Sequence, residues 1–131
     1  MCTGLTEAAL RQRYPTLPPL QHGAGWLPLV ALCMTQMTKV GLNLQLHRVL
    51  QIKQKLGSLR IHIDTTGMSE PLRTEIALLI AQALAASYRV CELCGQNAQL
   101  RVGANGCQTL CAMHARGTLP HPFTFDTRDT P

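Results

Sequence analysis

Apolar residues recur along this chain with two periods, and each change of period marks the edge of an element. Thr6 is placed to cap a short helix over Glu7–Arg13, which Pro15 ends. Residues 14–25 hold three prolines and two glycines and read as an irregular connection. From 26 to 40 the pattern is helical, with Pro28 in the first turn and Gly41 as the stop. Leu29, Leu32, Cys33, Gln36, Met37 and Val40 form the stripe expected to face the core.

Between residues 46 and 64 the period falls to two. Leu46, Leu50 and Ile52 share one face, with one irregular step, and Leu59, Ile61 and Ile63 alternate with Arg60, His62 and Asp64. Lys55-Leu56-Gly57-Ser58 supplies the turn of a β-hairpin, and Thr65-Thr66-Gly67 closes it. Ser69 then caps a long helix whose stripe, Leu72, Ile76, Leu79, Ile80, Ala83 and Ser87, can lie on the apolar face of the hairpin. The helix leads directly into a cluster of cysteines. The class is therefore α+β, with helices packed on a β-hairpin and a C-terminal knuckle or ribbon built on these cysteines, Cys91, Cys94 and Cys111, with His114, in the spacing of a zinc site. Three parts follow: an α-α-β-β-α unit over 1–89, a knuckle over 90–116, and a flexible tail over 117–131 that carries Phe123 and Phe125.

Composition agrees with a folded, disulfide-free chain. The 131 residues are 46% hydrophobic, enough for a core. No run reaches the roughly 20 apolar residues of a membrane span, and the first residues lack the pattern of a secretory signal. A cytoplasmic location, the cytosol of a host cell, is the expectation.

Four of the six cysteines fall within residues 91–111, and a histidine lies three positions beyond the last. In a reducing compartment such clustering points to a metal. Cys91-Glu92-Leu93-Cys94 and Cys111-Ala112-Met113-His114 are two pairs, each with a two-residue gap. That gap lets both ligands of one turn face a single ion, so Cys91, Cys94, Cys111 and His114 are the expected ligands of one Zn2+. Gly95 suits the tight turn after the second cysteine, and Gly103, Asn105 and Gly106 suit a short hairpin between the pairs. Four protein ligands leave no open position, so the zinc is expected to be structural. Cys107 competes with Cys111 and is taken as a spare thiol, Cys33 as a core residue, and Cys2 as a terminal thiol.

Charge is uneven. Residues 1–60 carry seven basic side chains against Glu7 alone, whereas residues 61–131 are nearly neutral. Arg48, Lys53, Lys55 and Arg60 gather on the hairpin, with His47 and His62 nearby. They can form a contact surface for an acidic partner, a phosphate backbone included. A merely solvated face has the same composition. Only five aromatic residues occur in the chain, and none lies in the hairpin to stack on bases.

Gly25-Trp26 before a helix, Gln51-Ile52-Lys53-Gln54-Lys55-Leu56-Gly57-Ser58-Leu59-Arg60, Cys91-Glu92-Leu93-Cys94-Gly95 and Thr109-Leu110-Cys111-Ala112-Met113-His114-Ala115 follow one another in this order. Over residues 23–115 the order resembles a family of small zinc-knuckle proteins of bacteriophages and bacterial mobile elements. Cys107 departs from that pattern, where an aromatic residue is expected, and so does Gln54, where an acid is expected. The resemblance implies a cytosolic accessory protein that binds a host protein or ribonucleoprotein complex, as anti-defence proteins such as anti-CRISPRs do. It implies the same four metal ligands and no established activity. No membrane and no small-molecule substrate are expected as partners.

Nucleic-acid binding through the basic hairpin is the alternative. An enzyme is the weaker third reading. His62-Ile63-Asp64 with Cys91 and Cys94 is superficially similar to a zinc deaminase, which needs H-x-E and then P-C-x-x-C. Asp64 is too short for that glutamate, Val90 replaces the proline, and Cys111 with His114 would be unexplained. A nucleophile pair of Cys33 with His22 or His47 has no supporting motif.

Overall fold

The computed structural model describes residues 5–104, 106–115 and 117–122. Its architecture is the expected α+β arrangement. Helix α1 (Glu7–Arg13) begins where the Thr6 hydroxyl accepts from the Ala9 amide at 3.1 Å. Arg11 reaches from α1 to the carbonyls of Leu17 and Pro18, each at 2.8 Å, and so ties down the proline-rich segment. That segment is more ordered than its composition predicts. Leu20–Gln21 form strand β1, parallel to a later strand, and Ala24–Trp26 form one turn of 3-10 helix. Two-residue elements carry no period, so composition alone reads them as irregular.

Helix α2 (Leu27–Val40) has the expected length and ends at Gly41, whose φ of 128° suits glycine. Its rotation differs from the expected one. Leu27, Val30, Cys33, Met34 and Met37 are buried, whereas Leu32 and Val40 are exposed. Residues 27–34 are apolar nearly all round, so the pattern leaves the phase open. Packing with Trp26 and the rest of the main core selects it.

Strands β2 (Val49–Lys55) and β3 (Ser58–Ile63) form the hairpin. Leu56 (φ 54°) and Gly57 (φ 84°) both take left-handed conformations, which matches the twist of a two-residue turn. A register shift between Val49 and Gln51 reverses the expected face at the start of β2. Val49 is buried, while Leu50 and Leu46 are exposed, because one extra residue turns the following side chains over. Leu59 and Ile61 face inward as expected.

Helix α3 (Glu70–Ser87), capped by Ser69, packs on α2 and β3 with Ile76, Ala83 and Ser87 buried, as the stripe predicts. The Ser87 hydroxyl accepts from the Leu59 amide at 2.9 Å and donates to the Leu84 carbonyl at 2.6 Å. A buried hydroxyl thus pins the helix end to β3.

A second sheet has the order β5-β4-β6, built from β4 (Gln99–Gly103), β5 (Gly106–Leu110) and β6 (Leu119–Pro120). Its β4–β5 hairpin is the one expected between the cysteine pairs. Leu119 and Pro120 lie in the segment expected as a tail, yet they pair with Val102 and Arg101. Phe123, Phe125 and Cys2 lie outside the described residues. The main core joins Leu10, Trp26, Val30, Met34, Met37 and Ile52, and a small separate cluster gathers Cys91, Leu110 and Cys111. Among the described residues no helix is long and apolar enough to cross a membrane.

Candidate metal centre

Two turns from distant parts of the chain meet at the small cluster. After α3, Val90 bridges Asn97, the Cys91 amide donates to the Gln96 carbonyl at 2.8 Å, and the Gly95 amide donates to the Cys91 carbonyl at 2.9 Å. Gly95 closes this turn at φ 84°, as its position after Cys94 predicts. On the other side β5 delivers Cys111 to the start of a 3-10 turn (Ala112–His114), where the His114 amide donates to the Cys111 carbonyl at 3.1 Å.

The ligand atoms of Cys91, Cys94, Cys111 and His114 all lie within 4.8 Å of one another, so the four can hold a metal ion. Cys94 Sγ is 3.6 Å from Cys111 Sγ, and His114 Nδ1 is 3.6 Å from Cys91 Sγ and 3.2 Å from Cys111 Sγ. A disulfide would need about 2.05 Å. A tetrahedron with metal–sulfur bonds of about 2.3 Å has edges of roughly 3.7 Å, close to those seen. His114 presents Nδ1, the ring nitrogen nearer its backbone, because the 3-10 turn brings it directly beside Cys111.

The Gln96 amide lowers the Cys94 thiol, but burial and hydrogen bonds with Cys111 and Cys91 outweigh it and push it up to about 11. Burial raises Cys111, and the His114 amide, Cys94, Cys91 and the Met113 amide together hold it below its ordinary value. Backbone amides aimed at sulfur are the groups that stabilise metal-bound thiolates.

The first cysteine turn is bolted to the N-terminal half. The Gly25 amide donates to the Glu92 carbonyl at 2.7 Å, the Gly23 amide to Glu92 Oε2 at 3.0 Å, and the Trp26 indole to the Val90 carbonyl at 2.7 Å. A Cβ on Gly25 would lie 2.1 Å from the Cys91 carbonyl oxygen, so only glycine fits there. Strand β5 is held to the first hairpin as well. The buried Thr109 hydroxyl donates to the Gly57 carbonyl at 2.6 Å, and the Gln54 amide group to the Cys107 carbonyl at 3.1 Å. Sequence reasoning missed Gly23, Glu92 and Thr109 as supports of the site. The adjacent Gly25-Trp26 pair was the one available signal.

The remaining candidates lie elsewhere. Cys107 is a free thiol outside the four-residue group. Cys33 is buried in α2 with Sγ 3.7 Å from the Leu79 carbonyl, and burial pushes it up to about 11, unlike an activated nucleophile. His22 bonds the Gly23 carbonyl through Nδ1, and burial lowers its pKa despite the nearby Glu92. His47 Nδ1 accepts from the Asn43 amide at 3.0 Å. His62 lies on β3, Asp64 just beyond it, and neither joins the metal ligands, so the deaminase-like set is not assembled.

Lys53, Lys55 and Arg60 fall on the same side of the first hairpin, opposite the side of Ile52, Leu59 and Ile61. Lys53 sits directly across from Arg60, Lys55 across from Ser58, and Gln51 across from His62. Arg48 precedes β2, and its carbonyl accepts from the Asp64 amide at 2.9 Å. The ion pairs among the described residues, Arg11–Glu7 and Arg73–Glu70, lie away from this face. Comparison with known protein families, with curated proteins and with solved structures finds no match, so no family is assigned to this chain.

Proposed function

We propose that the chain is a non-enzymatic zinc-binding accessory protein whose metal holds the second sheet in place while the basic hairpin face binds an acidic macromolecular partner. The observation that carries this reading is the closed Cys91, Cys94, Cys111 and His114 cluster. Three sulfurs and one imidazole favour zinc, and a complete protein shell favours a structural role. Once bound, the zinc would fix the relative positions of the two turns. The chain's own residues supply the rest, through Gly25, Trp26 and Thr109.

The cross-strand pair of Lys53 and Arg60 supports the binding role. Like charges directly opposite one another destabilise a sheet, and an anionic partner would relieve that repulsion. The host complex, the phage or mobile-element origin, the cytoplasmic setting and an anti-CRISPR role are proposed on the resemblance of residues 23–115 alone. Nucleic acid is the second reading, favoured by the same basic face.

Metal analysis of the purified protein should find one zinc per chain, and a Cys91→Ser variant should find none. Zinc-free protein that melts at the same temperature as the zinc-treated form would refute the structural role. For the partner, the tagged chain should recover a defined complex from lysate after nuclease treatment, and the Lys53→Glu, Arg60→Glu variant should not. Recovery abolished by nuclease would move the assignment to nucleic acid.

A further inference from the structure

The first sheet has the order β1-β2-β3, so β3 has one neighbouring strand and a free outer edge among the described residues. The alternation of antiparallel pairing decides which of its backbone groups point outward. The Asp64 amide is bonded inward to Arg48, and the Leu59 amide is bonded outward to Ser87. Ile61 and Ile63 therefore present both amide and carbonyl to the open edge. Beside that edge runs a groove of about 440 Å³ between β3 and α3, walled by Ile63, Ala77, Ile80, Ala81 and Leu84. Ala77 and Ala81 are exposed, and their small side chains let another helix come close.

We propose that β3 is the seam of a symmetric dimer, pairing antiparallel with β3 of a second copy about a two-fold axis at His62. Symmetric registers can be centred on Arg60, Ile61, His62 or Ile63, and charge together with the bonds already made selects among them. Centring on Ile63 would place Ile61 opposite Thr65, whose carbonyl already accepts from the Met68 amide. Centring on Arg60 would set two arginines face to face. Centring on Ile61 would place Ile63 opposite the Leu59 amide, which Ser87 already occupies. Centring on His62 puts Arg60 opposite Asp64 of the second copy, twice by symmetry, on the polar face. The same register sets Ile61 opposite Ile63 as a hydrogen-bonded pair, also twice. The two grooves then face each other, and their apolar walls leave water together. The dimer lays two hairpin faces side by side, with Lys53 and Lys55 of each outside the seam, and it does not depend on the function proposed above or on the metal.

The test is a charge exchange read by sedimentation equilibrium. Wild-type protein at concentrations on the order of 100 μM should sediment as two chains rather than at the 14.3 kDa of one. Arg60→Asp alone sets like charges across the seam, as does Asp64→Arg alone, and each should sediment as one chain. An equimolar mixture of these two variants restores opposite charges at both pairs and should return to two chains. This recovery also shows that the single variants are folded. The proposal is overturned if wild type stays at one chain throughout, if either single variant remains a dimer, or if the mixture stays monomeric. It is equally overturned if the Ile61 and Ile63 amides gain exchange protection only when an extended peptide from another protein is added, which would give the edge to that peptide.

Discussion

The indole N–H of Trp26 donates to the Val90 carbonyl at 2.7 Å, joining the start of α2 to the residue that precedes Cys91, the first of the four that can hold a metal. Trp26 is fully buried, so its indole N–H has no water as an alternative. Trp26→Phe keeps most of the ring and removes the donor, leaving the Val90 carbonyl unpaired at a cost of about 1–3 kcal/mol. Metal should also leave the variant faster, measured as release to a chromogenic chelator. Unchanged melting temperature and release rate would show that the bond contributes nothing.

Gly25 supports the same turn by having no side chain. Gly25→Ala should lower stability by more than 2 kcal/mol, roughly the range for forced overpacking, because the Cβ meets backbone atoms that cannot rotate away. Gly67→Ala is the matched control. Its φ of 85° is left-handed, which that of Gly25 is not, but nothing lies within 4 Å, so it should cost about 1 kcal/mol from the backbone alone. Equal losses in urea unfolding would mean that crowding against Cys91 and Gly95 is not what selects glycine at 25.

Cys107 and Cys111 are four residues apart, yet only Cys111 stands in the group that can hold a metal ion. Cys107→Ser should keep the full metal content and Cys111→Ser should lose it, by elemental analysis after dialysis. The opposite result would require β5 to shift its register against β4. Chelation of the wild type should loosen residues 90–115 before the helices, and amide exchange would show that order.

Cys33 ties stability to alkaline pH. Its thiol ionises near 9.0 when unperturbed and is pushed up to about 11 by burial, so the folded state holds the proton more tightly. The contribution is fully present below pH 9 and is lost as pH rises through about 11. Its size is roughly 2 kcal/mol. Wild type should therefore lose more stability over that window than Cys33→Ala, compared by denaturant melts at several pH values. Parallel curves would remove the buried thiol as a cause.

The elements and ligands were legible where local chemistry determines them. Thr6 and Ser69 cap their helices, Gly57 marks the turn, and the paired spacing of Cys91, Cys94, Cys111 and His114 identifies the metal group. The rotation of α2 was not legible, since Leu27 to Met34 offers an apolar face in nearly every direction and distant packing chooses among them. Leu50 was misplaced because a bulge leaves no trace in an alternating pattern. The hold of Gly23 and Gly25 on Glu92 spans more than sixty residues, beyond the reach of any local period.

The buried bond from Thr109 to the Gly57 carbonyl also bears on the order of events during synthesis. A ribosome that has released the chain only through Ser87 has already delivered helices α1, α2 and α3 and the first hairpin. At that moment the Gly57 carbonyl, the Gly25 amide and the Trp26 indole still lack their partners. The first half of the protein must therefore wait, partly open, for the last third to emerge, and the arrival of residues 90–110 completes both halves at once.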